Sequence, residues 1–257
     1  MASTPSLNPI DLDVRFQEAV QFYWDTRRRQ AKKQKAAGQI VDAGLRGAVT
    51  GGVQMSKLEI LVSDLLCEAG LQRESIRTRY ALELPGYFRP EKKWDLVVVA
   101  NDQLVAAMEF KSQAGPSFGN NFNNRTEEAV GSATDIWTAF REKRLGQSHG
   151  FRPLLGYFFL LEDCDKVHKS VGCAEPHFPV DPAFKKASYC QRYELLCKRL
   201  VLERIYDCTC LTLATNSRNT KVTHPAPDIS FGPFVAAIKA QAAKWVALSE
   251  AQRSTVQ

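Results

Sequence analysis

Apolar positions recur along the chain with two periods, and their alternation predicts the elements. From Val14 to Gly38, the residues Val14, Phe16, Ala19, Val20, Tyr23 and Trp24 fall at helical spacing. The same period returns after Ser56, with Leu58, Leu61, Val62, Leu65 and Leu66 as the stripe and Gly70 as the stop. Ser56 and Glu59 stand at the N-cap and N3 positions of a capping box. Ile76 to Leu84 alternates apolar with polar residues as a half-buried strand does, and Pro85-Gly86 ends it. Trp94 to Val99 and Leu104 to Phe110 are nearly all apolar, as strands covered on both faces are. A loop rich in Gly, Pro and Asn, Ser112 to Asn124, leads into a helix from about Arg125 to Leu145 that turns Val130, Ala133, Ile136, Trp137 and Phe140 inward. Pro153 to Leu161 reads as a buried strand, Ser188 to Tyr206 as an amphipathic helix, Cys208 to Ala214 as a strand and Phe234 to Leu248 as a closing helix. Helices alternating with strands, two of them a hairpin, predict an α/β fold: a central mixed β-sheet flanked by helices. With no internal repeat and no long linker, residues 1–257 read as one domain, with an N-terminal helical basic segment at about 10–50.

Charge and composition adjust this picture modestly. A hydrophobic share of 44% over 257 residues suffices for a sizeable core, and a net charge of +6 gives a mild preference for polyanions. Much of that charge is local: Arg27, Arg28, Arg29, Lys32, Lys33 and Lys35 follow one another on the first helix. Such a run either tracks a phosphate backbone or is a solvated face. No apolar run reaches the roughly 18 to 20 residues of a membrane span, and the N-terminus lacks the apolar stretch of a signal peptide, so the chain reads as soluble and cytoplasmic. Seven cysteines, an odd number, fit reduced thiols. Cys164, His168, Cys173 and His177 are close in sequence, but their spacing matches no zinc pattern and reads as structural. His149, His168, His177 and His224 show no spacing of a histidine-metal nuclease, and no serine or cysteine sits in a nucleophile setting.

Two carboxylates inside apolar strands need an explanation, because burying a charge costs several kcal/mol unless it is paired or binds a cation. The period of two puts Glu109 and Lys111 on one face of their strand and Phe110 on the other. Asp95 joins them only in one hairpin register. A three-residue turn Asn101-Asp102-Gln103 sets Asp95 opposite Glu109; a two-residue turn Asn101-Asp102 sets it opposite Met108, on the wrong face, unless a bulge restores the parity. Asp95, Glu109 and the Phe110 carbonyl then make an all-oxygen site suited to Mg2+, and Lys111 can orient or deprotonate a water. That chemistry suits phosphodiester hydrolysis, in which a metal stabilises charge at the phosphoryl oxygen. The competing reading is a structural ion pair at a strand end.

An aspartate, a hairpin and then Glu109-Phe110-Lys111, all after a capped helix, resemble the PD-(D/E)xK nuclease superfamily. The longer block Glu109-Phe110-Lys111-Ser112-Gln113, with Phe118-Gly119-Asn120-Asn121-Phe122-Asn123-Asn124-Arg125-Thr126-Glu127-Glu128-Ala129, resembles the XhoI family of type II restriction endonucleases. The similarity runs from the N-terminal aromatic and basic helix to the last helix. It implies a restriction-endonuclease-like core in a homodimer that uses Mg2+ to cut both strands of double-stranded DNA at a short palindrome, CTCGAG, leaving 5′ phosphates. Asp95, Glu109 and Lys111 would be the catalytic set, with Trp94 standing where the family pattern has proline. Glu59 matches a position where relatives of this fold often carry an extra acidic residue, and the capping box accounts for it equally well. Asn120, Asn121, Asn123, Asn124 and Arg125 can read base edges in the major groove, with Arg27, Arg28 and Lys32 on phosphates. An Asn-rich turn is also ordinary loop chemistry. Two other functions compete: a repair or junction-resolving nuclease of the same fold, and a catalytically inactive DNA-binding module. Retention of the Asp, Glu and Lys set speaks against the latter.

Overall fold

A computed structural model describes residues 9–36, 53–146 and 151–255. The glycines from Gly38 to Gly52, the predicted basic segment beyond Ala36, the Lys35 side chain and His149 lie outside the described residues. The elements are α1 (Pro9–Ala36), α2 (Ser56–Glu68), β1 (Ile76–Arg77), β2 (Glu83–Pro85), β3 (Glu91–Lys93), β4 (Leu96–Ala100), β5 (Gln103–Gln113), α3 (Phe118–Arg141), β6 (Leu154–Glu162), α4 (Asp165–His168), α5 (Tyr189–Leu202), β7 (Cys208–Ala214), β8 (Val222–Thr223) and α6 (Phe231–Thr255).

Among the described residues six strands form a mixed sheet in the order β1-β4-β5-β6-β7-β8, with β5, β6 and β7 parallel and the outer pairs antiparallel. The pleat sends Leu96, Val98, Met108, Phe110 and Phe158 into a core shared with α1, α2 and α6. Val97, Ala107, Tyr157, Phe159 and Leu211 point into a second core with α3 and α5. Covered on both faces, β6 and β7 are buried along their length up to Glu162 and mostly apolar, with Thr209 and Thr212 the polar side chains inside β7, as parallel strands between helical layers are. This is an α/β fold with a restriction-endonuclease-like core.

Four local expectations are corrected. The predicted strand Ile76 to Leu84 splits: only Ile76 and Arg77 pair with β4, Ala81 takes φ +53°, and Glu83–Pro85 pairs with Glu91–Lys93 in a separate two-stranded ribbon. The ribbon turns Leu82 and Leu84 into the α3 core, which is why their alternation read as one strand. The capping box at Ser56 does not form. Met55 is the N-cap, and the Ser56 hydroxyl donates back to the Val53 carbonyl at 2.7 Å. A capping box does close at Ser188 and Gln191, at the start of α5. Finally, the Asn-rich segment is the first two turns of α3 and not a loop. Phe118 is buried and stacks on Tyr189 at 5.8 Å, and Phe122 meets Tyr193 edge-on at 5.2 Å. This packing outweighs the weak helix propensity of Gly and Asn. Within α3, Val130 is 37% exposed and not inward, whereas Ala133, Ile136 and Trp137 are buried as expected.

Candidate active site

The hairpin between β4 and β5 decides where Asp95 points. Asn101 and Asp102 both have positive φ, +48° and +57°, and close a two-residue turn with Ala100 opposite Gln103. Left alone, that turn sends Asp95 to the wrong face. A bulge between Val98 and Val99 restores the parity: Val99 faces Leu104, but Val98 faces Ala106, and Leu96 faces Met108. Val105 and Ala106, adjacent in sequence, both enter the same core. The corrected register carries Asp95 to the level of Glu109, on the same face. There the Asp95 amide donates to the Met108 carbonyl at 3.2 Å, and Asp95 Oδ2 accepts from the Phe110 amide at 2.7 Å.

Glu109 is 2% exposed. Its Oε1 meets Lys111 Nζ at 2.5 Å and Lys92 Nζ at 3.1 Å, and its Oε2 lies 3.3 Å from the Tyr206 hydroxyl. Burial works to raise the Glu109 pKa, but the two ammoniums override it and hold the carboxyl below its ordinary value. Burial acts against charge on Lys111 too, yet Glu109 and Asp95 raise its pKa, so it is a firm ammonium. For Asp95, burial dominates and raises the pKa against the pull of Lys111 and the Phe110 amide. Glu59, on α2, is pushed up to about 8 by burial, then by the Asp95 carboxylate, with Arg79 opposing. The structure thus gathers Asp95, Glu109, Lys111 and Glu59 into one electrostatic neighbourhood.

The donor set fits a hard divalent cation. Asp95 and Glu109 supply carboxylate oxygens on one face, and the Phe110 carbonyl lies on the strand edge that faces Asp95, two residues beyond the Met108 carbonyl that bonds Asp95. Among the described residues no three His, Cys, Asp or Glu side chains gather as a metal site, so such an ion would complete its shell with water. Cys164, His168, Cys173 and His177 do not assemble one. His168 pairs with Asp163 at 2.6 Å, and the Cys173 thiol lies 3.3 Å from Arg192.

Some of the DNA-binding candidates lie near the C-terminal ends of β5, β6 and β7. Arg27 and Arg28 share a cleft with Gly115, Phe118, Glu162 and Lys166, at the start of α3. Arg28, Arg29, Lys32 and Arg218 line a cleft beside it, and Phe118, Asn120, Lys166 and Lys169 another. Arg28 is held by Asp25 at 2.5 Å and by Asn216 at 3.2 Å, whereas Lys32 and Lys33 are exposed. On α3 the helical period puts Asn120, Asn123 and Asn124 on an exposed stripe. Asn121, which bonds the Ser117 carbonyl, and Arg125, paired with Glu128, are half-buried on the side nearer Lys111.

Comparison with known proteins decides the family. Residues 33–225 match the family model described as restriction endonuclease XhoI. The chain belongs to the XhoI restriction endonuclease family. It is 48% identical over 214 residues to the type II restriction enzyme BstVI of Geobacillus stearothermophilus, covering 80% of this chain and 95% of that protein. It is 44% identical over 183 residues to the type II restriction enzyme XhoI of Xanthomonas vasicola, covering 70% of this chain and 72% of that one. The type II restriction enzyme AbrI of Azospirillum brasilense is 45% identical over 174 residues, 67% of this chain and 77% of its own length. No solved structure matches the chain.

The protein is therefore a type II restriction endonuclease, a site-specific enzyme acting on double-stranded DNA. Among its described residues no helix is long and apolar enough to cross a membrane. The matched family region holds Glu59, Asp95, Glu109, Lys111 and the Asn-rich turns, but leaves Arg27, Arg28 and Lys32 outside. Two residues that the fold brings to this candidate site escaped sequence reasoning. Lys92 sits in a polar triplet with Glu91 and Lys93, and only its folded position, 4.3 Å over the Trp94 ring and against Glu109, sets it apart. Tyr206 comes from beyond α5, and no spacing ties it to β5.

Proposed function

We propose that this endonuclease cuts both strands of double-stranded DNA at CTCGAG in a Mg2+-dependent reaction that leaves 5′ phosphates, and that it acts as a cytoplasmic homodimer of one endonuclease domain per chain. The observation that carries the reading is Asp95 and Glu109 on one face of the hairpin with Lys111 on Glu109, inside a chain of this family. Bound at Asp95, Glu109 and the Phe110 carbonyl, the ion would supply charge stabilisation at the phosphoryl oxygen and an acidified water. Lys111, fully charged beside Glu109, donates hydrogen bonds to the attacking water or the phosphate and does not act as a base in this state. Glu59 keeps its proton at neutral pH and so adds no third negative charge where the phosphate must approach. Asn120, Asn121, Asn123, Asn124 and Arg125 are proposed to read bases, with Arg27, Arg28 and Lys32 on phosphates.

The test is digestion of DNA of known sequence with and without Mg2+, followed by sequencing of the ends. Discrete fragments ending in 5′ phosphates at CTCGAG, made only with the metal, support the reading. Fragments cut at another palindrome would refute the assigned site. Sedimentation of the free protein at one chain mass would refute the dimer.

A further inference from the structure

Between β1 and β4 the chain leaves the main sheet to make the β2–β3 ribbon, whose inner face is apolar. Leu82, Leu84 and Trp94 lie buried over α3. The outward residues are of another kind. Tyr80 is 71% exposed and Phe88 72% exposed, with Tyr87 beside Phe88 in edge contact at 4.9 Å. Arg79, Arg89 and Lys93 are exposed on the same segment, with Glu83 and Glu91 exposed between them.

The tip is firmly held. Asp135, 4% exposed on α3, accepts from the Tyr87 amide at 2.7 Å, the Phe88 amide at 2.8 Å and Arg89 Nε at 2.7 Å. Gly86 admits this approach because a Cβ there would stand 2.6 Å from Asp135 Oδ2. A buried carboxylate thus orders a turn whose large aromatic ring faces solvent, an arrangement that adds nothing to the core. At its other end the ribbon reaches the candidate active site, since Lys92, opposite Leu84, touches Glu109. From that contact to the tip is about three strand residues, ~10 Å, comparable to the width of a DNA groove.

We propose that the segment Arg79 to Lys93 is an arm that lies on the duplex beside the scissile phosphate, with Arg79 and Lys93 on flanking phosphates and Phe88 seated in a groove. The inference rests on reading Asp95, Glu109 and Lys111 as the site of DNA cleavage. Position selects the partner. Lys92 brings the ribbon against Glu109, so in the cleavage reading a duplex whose phosphate lies at that carboxylate passes beside this segment. An exposed phenyl ring on an ordered turn is a device by which proteins enter grooves and press on base steps.

Full-length wild type, Phe88→Ala and the double variant Arg79→Ala/Lys93→Ala are compared in calcium for binding to a duplex carrying the cut site and to an unrelated duplex. All three substituted side chains are exposed, and thermal unfolding confirms that each variant folds. The double variant is expected to bind both duplexes about tenfold or more weakly, with a salt slope smaller by about two. Phe88→Ala is expected to lose about tenfold on the duplex with the site, at unchanged oligomeric state. Wild-type affinities and slopes in all variants overturn the arm while leaving the cleavage reading intact. A Phe88→Ala protein that changes its oligomeric state by sedimentation makes the tip a protein interface and also overturns it. Failure of the wild type to bind or cut either duplex overturns the cleavage reading and the arm together.

Discussion

Lys92 Nζ lies 3.1 Å from the same Glu109 oxygen that Lys111 holds at 2.5 Å. Two ammoniums on one carboxylate oxygen compete with any cation that needs it. Lys92→Met is therefore expected to raise divalent-metal affinity about tenfold in calorimetric titration without DNA, equivalent to about 1.4 kcal/mol. An affinity that stays level or falls would show that Lys92 assists metal binding instead. Lys111→Met is expected to lower single-turnover cleavage by about 10²- to 10³-fold, because it removes a donor aimed at developing charge.

In the proposed reading Asp95 and Glu109 serve the chemistry and the DNA-binding candidates serve affinity. Asp95→Asn is expected to lower cleavage at least about 10³-fold, about 4 kcal/mol of barrier, while binding in calcium changes only a few-fold. Glu109→Gln should behave alike in cleavage. In that variant the two half-buried ammoniums also lose their counter-charge, so its unfolding temperature is expected to fall further than that of Asp95→Asn. Cleavage near the wild-type rate would remove the substituted residue from the site.

Glu59 links pH to stability and to metal. Its carboxyl keeps a proton in the fold up to about pH 8, whereas in the unfolded chain it loses that proton near 4.5. Between those values the folded state holds more protons, so the contribution of Glu59 to stability falls as pH rises from about 4.5 to about 8 and then levels off. Glu59→Gln removes that decline and is expected to stabilise the metal-free protein at pH 8 by on the order of 1 to 3 kcal/mol, with little effect at pH 4.5. Denaturant titrations at the two pH values measure it. A divalent cation beside Asp95 should also release the Glu59 proton, seen as a dependence of binding heat on buffer ionisation that the Gln variant loses.

Asp135 holds the ribbon tip. Asp135→Ala leaves the Tyr87 and Phe88 amides and the Arg89 guanidinium without their acceptor, and is expected to cost about 2 to 4 kcal/mol of stability. Although burial opposes it, these donors hold the Asp135 pKa below its ordinary value, so this stabilisation is present above the ordinary carboxylate pKa and is lost as pH falls through the depressed one. Chemical denaturation at neutral pH reads the first effect. An unfolding free energy equal to wild type would mean that water replaces Asp135 fully.

Much of this endonuclease was legible in one dimension. The stripes of α2 and α6, the mostly apolar runs of β6 and β7 and the two-residue period that sets Glu109 and Lys111 together are local patterns, and local patterns survive folding. The choice between the two hairpin registers is different in kind. The Asn101-Asp102 turn alone would have sent Asp95 away from Glu109, and the bulge that returns it depends on Val105 and Ala106 both finding room in a core built by α1, α2 and α6. The Asn-rich turns are helical because Phe118 and Phe122 pack on α5, far along the chain. Lys92 and Tyr206 join the site only across elements, and the Glu59 carboxyl owes its proton to burial beside Asp95. Sequence period therefore determined which side chains share a face within an element. Which faces meet was decided by packing between residues distant in the chain, an energy that no single segment contains.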